Sequence, residues 1–279
     1  MPTLAPIDYL VVGHYTRDLT PAGDEPGGTV TYSAATAAAL GCRTGVVTSA
    51  AADVPFASFL PGVAVVNVTA PESTTFANHY SPAGRQQHIY AQALPLKAAQ
   101  VPAAWRRTPI VHLGPVANEL DPDLARAFPA SLLGLTPQGW FRRWDARGRV
   151  RAEAWEAAGD VLPRAAGVVL SPEDLPRPAL AAELARLSRL LVVTEEARGC
   201  TVFFDGERRR FPAPAVTVAN PTGAGDVFAA AFFLRLQQTR GNPWEAAAFA
   251  NLIAAHSLAA DSLADKMAAI RETAALARA

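Results

Sequence analysis

Two things are scarce in this 279-residue chain: lysine, present only as Lys97 and Lys266, and cysteine, present only as Cys42 and Cys200. With lysine so rare and no Gly-x-x-x-x-Gly-Lys string, a Lys-based phosphate loop of the Walker type is excluded. Two isolated thiols, with no Cys-x-x-Cys spacing, give neither a disulfide framework nor a zinc site; a reducing compartment, the cytoplasm, is the expectation, with both thiols as small core residues. Net charge is also missing, because 25 acidic and 25 basic side chains cancel. That removes the electrostatic reason to expect nucleic acid or an anionic membrane as partner. No stretch reaches the ~18–20 consecutive apolar residues of a membrane span, and Met1 to Pro6 lacks the pattern of a signal segment.

What is present is apolar mass: half of the residues are hydrophobic. A chain of this length can bury a full α/β core, and one domain over 1–279 is expected. Short β-branched runs at Tyr9–Gly13, Gly45–Thr48, Val63–Val68, Ile110–Leu113, Leu132–Leu135, Gly167–Leu170 and Leu190–Thr194 alternate with Ala- and Leu-rich stretches. Helices are expected at Thr31–Leu40, Asp121–Phe128, Pro178–Ser188, Asp226–Gln238 and Pro243–Ala260. This alternation predicts an α/β fold, a mostly parallel sheet with helices on both faces. The polar and aromatic segment Ser73–Tyr90, with a turn at Ser81-Pro82-Ala83-Gly84, breaks the pattern and reads as a β-hairpin.

The most informative stretch is Asn220-Pro221-Thr222-Gly223-Ala224-Gly225-Asp226, followed by the apolar run Val227–Leu234. A β-rich segment, Val216-Thr217-Val218, is expected to lead into a small-residue turn and then a helix, converging unpaired N–H groups on an anion. A carboxylate beside such a cradle suits a proton acceptor for a hydroxyl that attacks a phosphoryl group. The competing reading of Asp226 is an ordinary first-turn helix residue.

This string resembles the Asp-Thr-x-Gly-Ala-Gly-Asp motif of the ribokinase-like (PfkB) carbohydrate kinases. The opening strand at Ile7–Gly13, Asp18, the Gly27-Gly28 pair and the Ala-rich segment from Tyr32 to Leu40 resemble that family's first elements, and the likeness runs along essentially the whole chain. It implies ATP-dependent phosphorylation of a small polyol, sugar or nucleoside, with Mg²⁺ bridging the donor phosphates. It further implies a small β lid near residues 14–28 and 73–92, which could pair two copies as a homodimer. Thr136-Pro137-Gln138, Arg142 and Tyr32 resemble the myo-inositol kinase-like subgroup, pointing to an unphosphorylated cyclitol such as myo-inositol.

Carried over residue by residue, the resemblance gives Asp226 as base, with Gly223, Ala224 and Gly225 around the transferring phosphoryl. Asp18, Gly27, Gly28, Tyr32, Asn118, Gln138 and Arg142 are candidates for the acceptor; Gln138 and Arg142 read equally as strand-end surface residues. Thr194, Arg198, Gly199 and Asn251 are candidates for the nucleotide, and Asp174 for a water-mediated contact to Mg²⁺. Four positions depart from the family pattern: Glu196 for a Gly, Ser171 for an Asn, Asp174 for a Glu, and Asn220 for an Asp that helps hold a monovalent cation in ribokinases. The neutral Asn220 argues against potassium activation. These departures keep open a catalytically silent polyol or nucleotide sensor on the same fold, besides a nucleoside kinase.

Overall fold

The computed structural model describes residues 4–21, 23–81 and 84–277. Strand β1 (Tyr9–Val12) is followed by the hairpin β2 (Thr16–Thr20) and β3 (Gly23–Gly27), then helix α1 (Thr29–Ala39) and strand β4 (Thr44–Ala50). After a single turn, α2 (Phe56–Phe59), come β5 (Ala64–Thr69) and the long pair β6 (Thr74–Ser81) and β7 (Gly84–Ala91). Strands β8 (Ile110–Leu113) and β9 (Leu132–Leu135) precede a small ribbon, β10 (Arg142–Trp144) and β11 (Val150–Ala152). The second half contains α3 (Ala158–Val161), β12 (Gly167–Leu170), α4 (Leu180–Leu187), β13 (Leu190–Thr194), β14 (Cys200–Phe204) and β15 (Glu207–Phe211). Three helices close it: α5 (Ala224–Gln238), α6 (Pro243–Leu258) and α7 (Leu263–Leu276).

Nine strands form one sheet in the order β15-β14-β13-β12-β9-β8-β1-β4-β5. It is parallel from β13 to β5, and β14 and β15 add an antiparallel edge. All seven strands expected from the β-branched runs are present; the inner ones are buried and written as continuous apolar runs, and β5, at the edge of the sheet, is half-buried. One core, under α1, α5 and α6, includes Phe228, Phe232 and Phe233; the other, on the opposite face, includes Trp105, Trp140 and Trp155. Helix α5 is buried from Val227 to Leu234, as its all-round apolar sequence requires. The expected start of α6 at Pro243 is made by the Asn242 side chain, which accepts from the N–H groups of Trp244 and Glu245.

A second sheet, ordered β3-β2-β6-β7, stands off the main one where the lid was expected. It is mixed: β2 runs parallel to β6, and the other pairs are antiparallel. The turn expected at Ser81–Gly84 falls partly on Pro82 and Ala83, which lie outside the described residues.

Two local expectations are corrected, and one element forms where none was expected. Asp121–Phe128 forms only a short 3₁₀ turn, Pro122–Arg126, capped by the Asp121 side chain on the Asp123 N–H. Val216-Thr217-Val218 is not a strand: the chain leaves the sheet after β15, and Val218 is exposed. Beyond Ala259, where the sequence gave no helical expectation, α7 forms behind a Ser262 cap. Its apolar face is narrow, so periodicity alone carries little signal.

Candidate active site

The parallel strands β1, β8, β9, β12 and β13 all end on one side of the sheet, where open α/β sheets place ligands. Segments leaving the ends of β1, β9 and β12 carry Asp18, Gln138 and Asp174 toward Asp226 at the start of α5. Asp226 lies in the first turn of α5, whose opening amides have no intrahelical acceptor. The N-cap is Gly223, in the left-handed region at φ 79. A Cβ there would sit 2.2 Å from Cδ1 of Tyr32, so the turn lies directly on that ring. Tyr32 therefore supports the turn from below, besides any contact with an acceptor. Of the expected phosphate-facing amides, that of Ala224 is already closed on the Pro221 carbonyl at 3.2 Å. Those of Gly225 and Asp226 stand at the open start of the helix.

Asp226 is the perturbed carboxyl of the site. Its carboxyl is pushed up to about 6, first by burial, opposed by a hydrogen bond from the Thr29 side chain, and raised again by the charge of Asp174. Arg142 lowers it and Asp18 raises it slightly. Asp226 thus feels Asp18 from the lid, Arg142 from β10 and Asp174 from the end of β12. The main-chain carbonyl of Asp226 accepts from Ser33 Oγ at 3.0 Å, fixing the start of α5 against α1.

Thr29 is a site residue that the sequence reading missed. It is fully buried, it follows Gly28, and besides meeting Asp226 its Oγ1 accepts from Gln138 Nε2 at 3.3 Å. Gln138 Oε1 in turn accepts from Arg142 Nη2 at 2.9 Å, and Arg142 Nη1 donates to the Val116 carbonyl at 2.9 Å. The Arg142 guanidinium also lies over the Phe76 ring of the lid, 5.6 Å from its centroid. A continuous polar chain therefore runs from Asp226 through Thr29 and Gln138 to Arg142 and the lid. A threonine just after a Gly-Gly pair carries no motif signal of its own, and only folding shows that it bridges α1 to the 3₁₀ turn Pro137–Phe141.

Asp18 projects from β2, half-buried, with Oδ1 accepting from Thr16 Oγ1 at 2.9 Å. Gly27 makes room for it, since a Cβ at that position would lie 2.3 Å from Asp18 Oδ2. Gly28, at φ 84, turns the chain from β3 into α1, where a Cβ would meet the His14 carbonyl at 2.6 Å. The Gly27-Gly28 pair thus positions Asp18 and Thr29.

Asn118 is not gathered into this cluster. It is exposed, adopts φ 56, and lines a separate cleft with Trp140, Arg143 and Trp155. Its neighbour Glu119 is the buried partner: its carboxylate accepts from the N–H groups of His14, Val116 and Ala117 and ties β1's exit to β8's.

The donor-side candidates are also dispersed. Thr194 ends β13, with its hydroxyl donating to the Leu170 carbonyl at 3.3 Å. Arg198 is exposed, and Gly199 is buried beneath the Phe211 carbonyl. Asn251 is 5% exposed and spends its amide on the Phe211 carbonyl at 3.0 Å and on Cys200 Sγ, so it braces α6 against β14 and β15 instead of facing outward. Glu196 has φ 53. It keeps the left-handed backbone that the expected glycine would supply, at a cost of about 1–2 kcal/mol.

Asp174 closes a capping box with Ser171, its Oδ2 accepting the Ser171 N–H at 3.0 Å. Among the described residues no group of three His, Cys, Asp or Glu could hold a metal ion. Asp174, next to Glu173 at the end of β12, could supply one carboxylate to Mg²⁺, which commonly takes one or two and completes its shell with waters and donor phosphates.

Residues 168–268 match the family model described as pfkB family carbohydrate kinase. That stretch of the chain, a little over a third of it, is similar to the PfkB carbohydrate kinases. An 88-residue stretch is 44% identical to Inositol 3-kinase of Oryza sativa subsp. japonica, covering 30% of this chain and 21% of that protein, so the match spans about a fifth of the relative's length. The fold is similar to that of a pyrophosphate-dependent kinase in the ribokinase family complexed with a pyrophosphate analog and myo-inositol: TM-score 0.79, 23% identity, 91% of this chain and 96% of that one. It is also similar to Arabidopsis thaliana ribokinase complexed with ribose and ATP, at TM-score 0.71 and 17% identity, over 97% of this chain and 99% of that one. The PfkB match runs from β12 into α7 and includes α5 and the Asp226 turn. Among the described residues no helix is long and apolar enough to cross a membrane.

Proposed function

We propose that this chain transfers a phosphoryl group to a hydroxyl of a small unphosphorylated polyol, a cyclitol such as myo-inositol. The observation that carries this reading is the Asp226–Thr29–Gln138–Arg142 chain, with an Asp226 carboxyl pushed up to about 6. Such a carboxyl is ionised at neutral pH and is a better proton acceptor than an ordinary aspartate. The acceptor hydroxyl gives its proton to Asp226 as its oxygen bonds to the phosphorus, and the donor's bridging P–O bond breaks with its electrons leaving on the donor. The amides at the start of α5 and the Arg142 guanidinium offset charge on the transferring group. Asp18 and Gln138 meet the acceptor's hydroxyls, and the lid excludes water that would otherwise take the phosphoryl. Mg²⁺, held through Asp174 and the donor phosphates, would neutralise donor charge.

ATP is the donor implied by the family. A second donor, inorganic pyrophosphate, is supported by Asn251, which is turned inward, and by Glu196, whose carboxylate stands where the family has a bare glycine. A panel of polyols, sugars and nucleosides, each with ATP and with pyrophosphate, tests the whole reading by measuring phosphorylated product. A cyclitol is expected to lead, and a sugar phosphate to be poor, because Arg142 is engaged with Gln138 and Val116 and serves the transferring group. A sugar phosphate as the best acceptor, or no transfer to any alcohol, would overturn it.

Within that panel, Asp18→Ala is expected to raise the Michaelis constant for the acceptor about 10-fold or more while changing turnover less. It removes a carboxylate that binds neutral hydroxyls without touching the reacting atoms. An unchanged Michaelis constant would remove Asp18 from the acceptor site.

A further inference from the structure

Lys266, one of only two lysines in the chain, is 1% exposed. It sits in the first turn of α7, where its own helix dipole disfavours a cation. Burying an ammonium is costly unless it is paired. Its partners are main-chain carbonyls: Nζ donates to Asn220 O at 2.5 Å and to Ser257 O at 3.2 Å. Among the described residues no carboxylate comes within ion-pair distance of it, and Asp261 acts only through space. Ser257 lies in the last turn of α6, a helix end that carries partial negative charge. Asn220 opens the Asp226 turn. The same junction is closed from other sides: the N–H groups of Ala219 and Asn220 donate to Leu258 O, and Asn220 Nδ2 donates to Asp261 O at 2.9 Å. Asn220 Oδ1 accepts from the Thr222 N–H at 2.9 Å, carrying the clamp into the turn.

We propose that Lys266 is a built-in cation that positions the phosphate-facing turn, clamping the Asn220 carbonyl to the carboxyl end of α6 so that the turn is set for phosphoryl transfer without a free monovalent ion. This rests on the kinase reading. Backbone carbonyls converging on a positive charge are also how proteins hold potassium. Here the charge is tethered to the chain, so its entropy of binding is already met by folding. Lys266 touches neither donor nor acceptor; it acts through the Asn220 carbonyl and is a positioning residue.

The test uses the full chain and two variants, Lys266→Met, which keeps length but not charge, and Lys266→Ala, which leaves the carbonyls facing a small polar cavity. The first readout is the rise in melting temperature on adding inorganic pyrophosphate with Mg²⁺; the second is turnover of the best acceptor. The wild type is expected to show a pyrophosphate shift and turnover that are the same in sodium and potassium at constant ionic strength. Lys266→Met is expected to lose most of the shift and about 10-fold or more of turnover, with the acceptor Michaelis constant unchanged. In Lys266→Ala, ammonium or potassium, but not sodium or choline, is expected to restore both several-fold. A residue that merely supports the fold gives no such ion-selective rescue. Wild-type values in folded Lys266→Met, loss without rescue by any cation, failure of both variants to fold, or no wild-type pyrophosphate shift would each overturn the assignment. A wild type that binds pyrophosphate but phosphorylates no alcohol would sink the kinase reading alone, since the shift and its rescue still report on the clamp.

Discussion

Asp226→Asn is expected to lower turnover by about 10²–10⁴, the usual loss when a positioned general base is removed, while leaving the fold and donor binding in place. Two further observables distinguish a base from a residue that only shapes the turn. The first is the pH profile. Asp226 accepts a proton only when ionised, and its carboxyl is pushed up to about 6. Wild-type kcat/KM should therefore rise with pH through about 6 and level off above, and that limb should vanish in the Asn variant.

The second observable is stability. A native pKa above the unfolded value means that the folded chain binds more protons between about pH 4 and 6, so this group's contribution falls as pH rises through that window. Above pH 6 the penalty is fully present, and Asn removes it. A shift from 3.8 to about 6 sets an upper bound of about 3 kcal/mol, at roughly 1.36 kcal/mol per unit, and the part of the carboxylate open to solvent reduces it. The variant should melt higher than wild type at pH 8 and close to it at pH 4. Retained turnover would remove Asp226 from the chemistry.

Gly223→Ala is expected to cost nearly as much activity by a different route. The backbone there is left-handed, costing an L-residue about 1–2 kcal/mol, and the added methyl would fall 2.2 Å from the Tyr32 ring. Either the turn or the ring must move, and a displacement of about 1 Å at a phosphoryl-transfer site can cost about 10² in rate. Adding Tyr32→Ala relieves the contact but not the backbone strain, so the double variant should recover part of the loss and no more. Steady-state kinetics of the two single variants and the double variant, read as a cycle, measure this. Wild-type turnover in Gly223→Ala would show that the turn does not need its close approach to Tyr32.

Glu196 separates what a motif states from what a backbone needs. At the level of letters it puts a glutamate where the family pattern has a glycine; in the fold it adopts φ 53, in the left-handed region that a glycine favours. The departure therefore adds a carboxylate to the turn while the backbone there stays left-handed. Asn251 is the opposite case: its letter agrees with the pattern, yet its side chain faces β14 and β15. A short motif constrains backbone geometry at its glycines but leaves side-chain direction to packing.

By itself the sequence determined the seven parallel strands, the buried helix α5 and the Gly223–Asp226 turn. Each is written locally, as a continuous apolar run, an apolar face all round, or small residues at fixed spacing next to a carboxylate. Tertiary structure alone decided that Thr29 joins Asp226 to Gln138 and that Lys266 reaches the carbonyl of Asn220, 46 positions away in the chain. It also decided that Val216–Val218 leaves the sheet. Such contacts form between segments far apart in sequence, and a lone threonine or lysine has no periodicity to announce its partner. The carboxyl of Asp226 is likewise raised by what surrounds it, burial first, a property of the assembled fold that no residue carries alone.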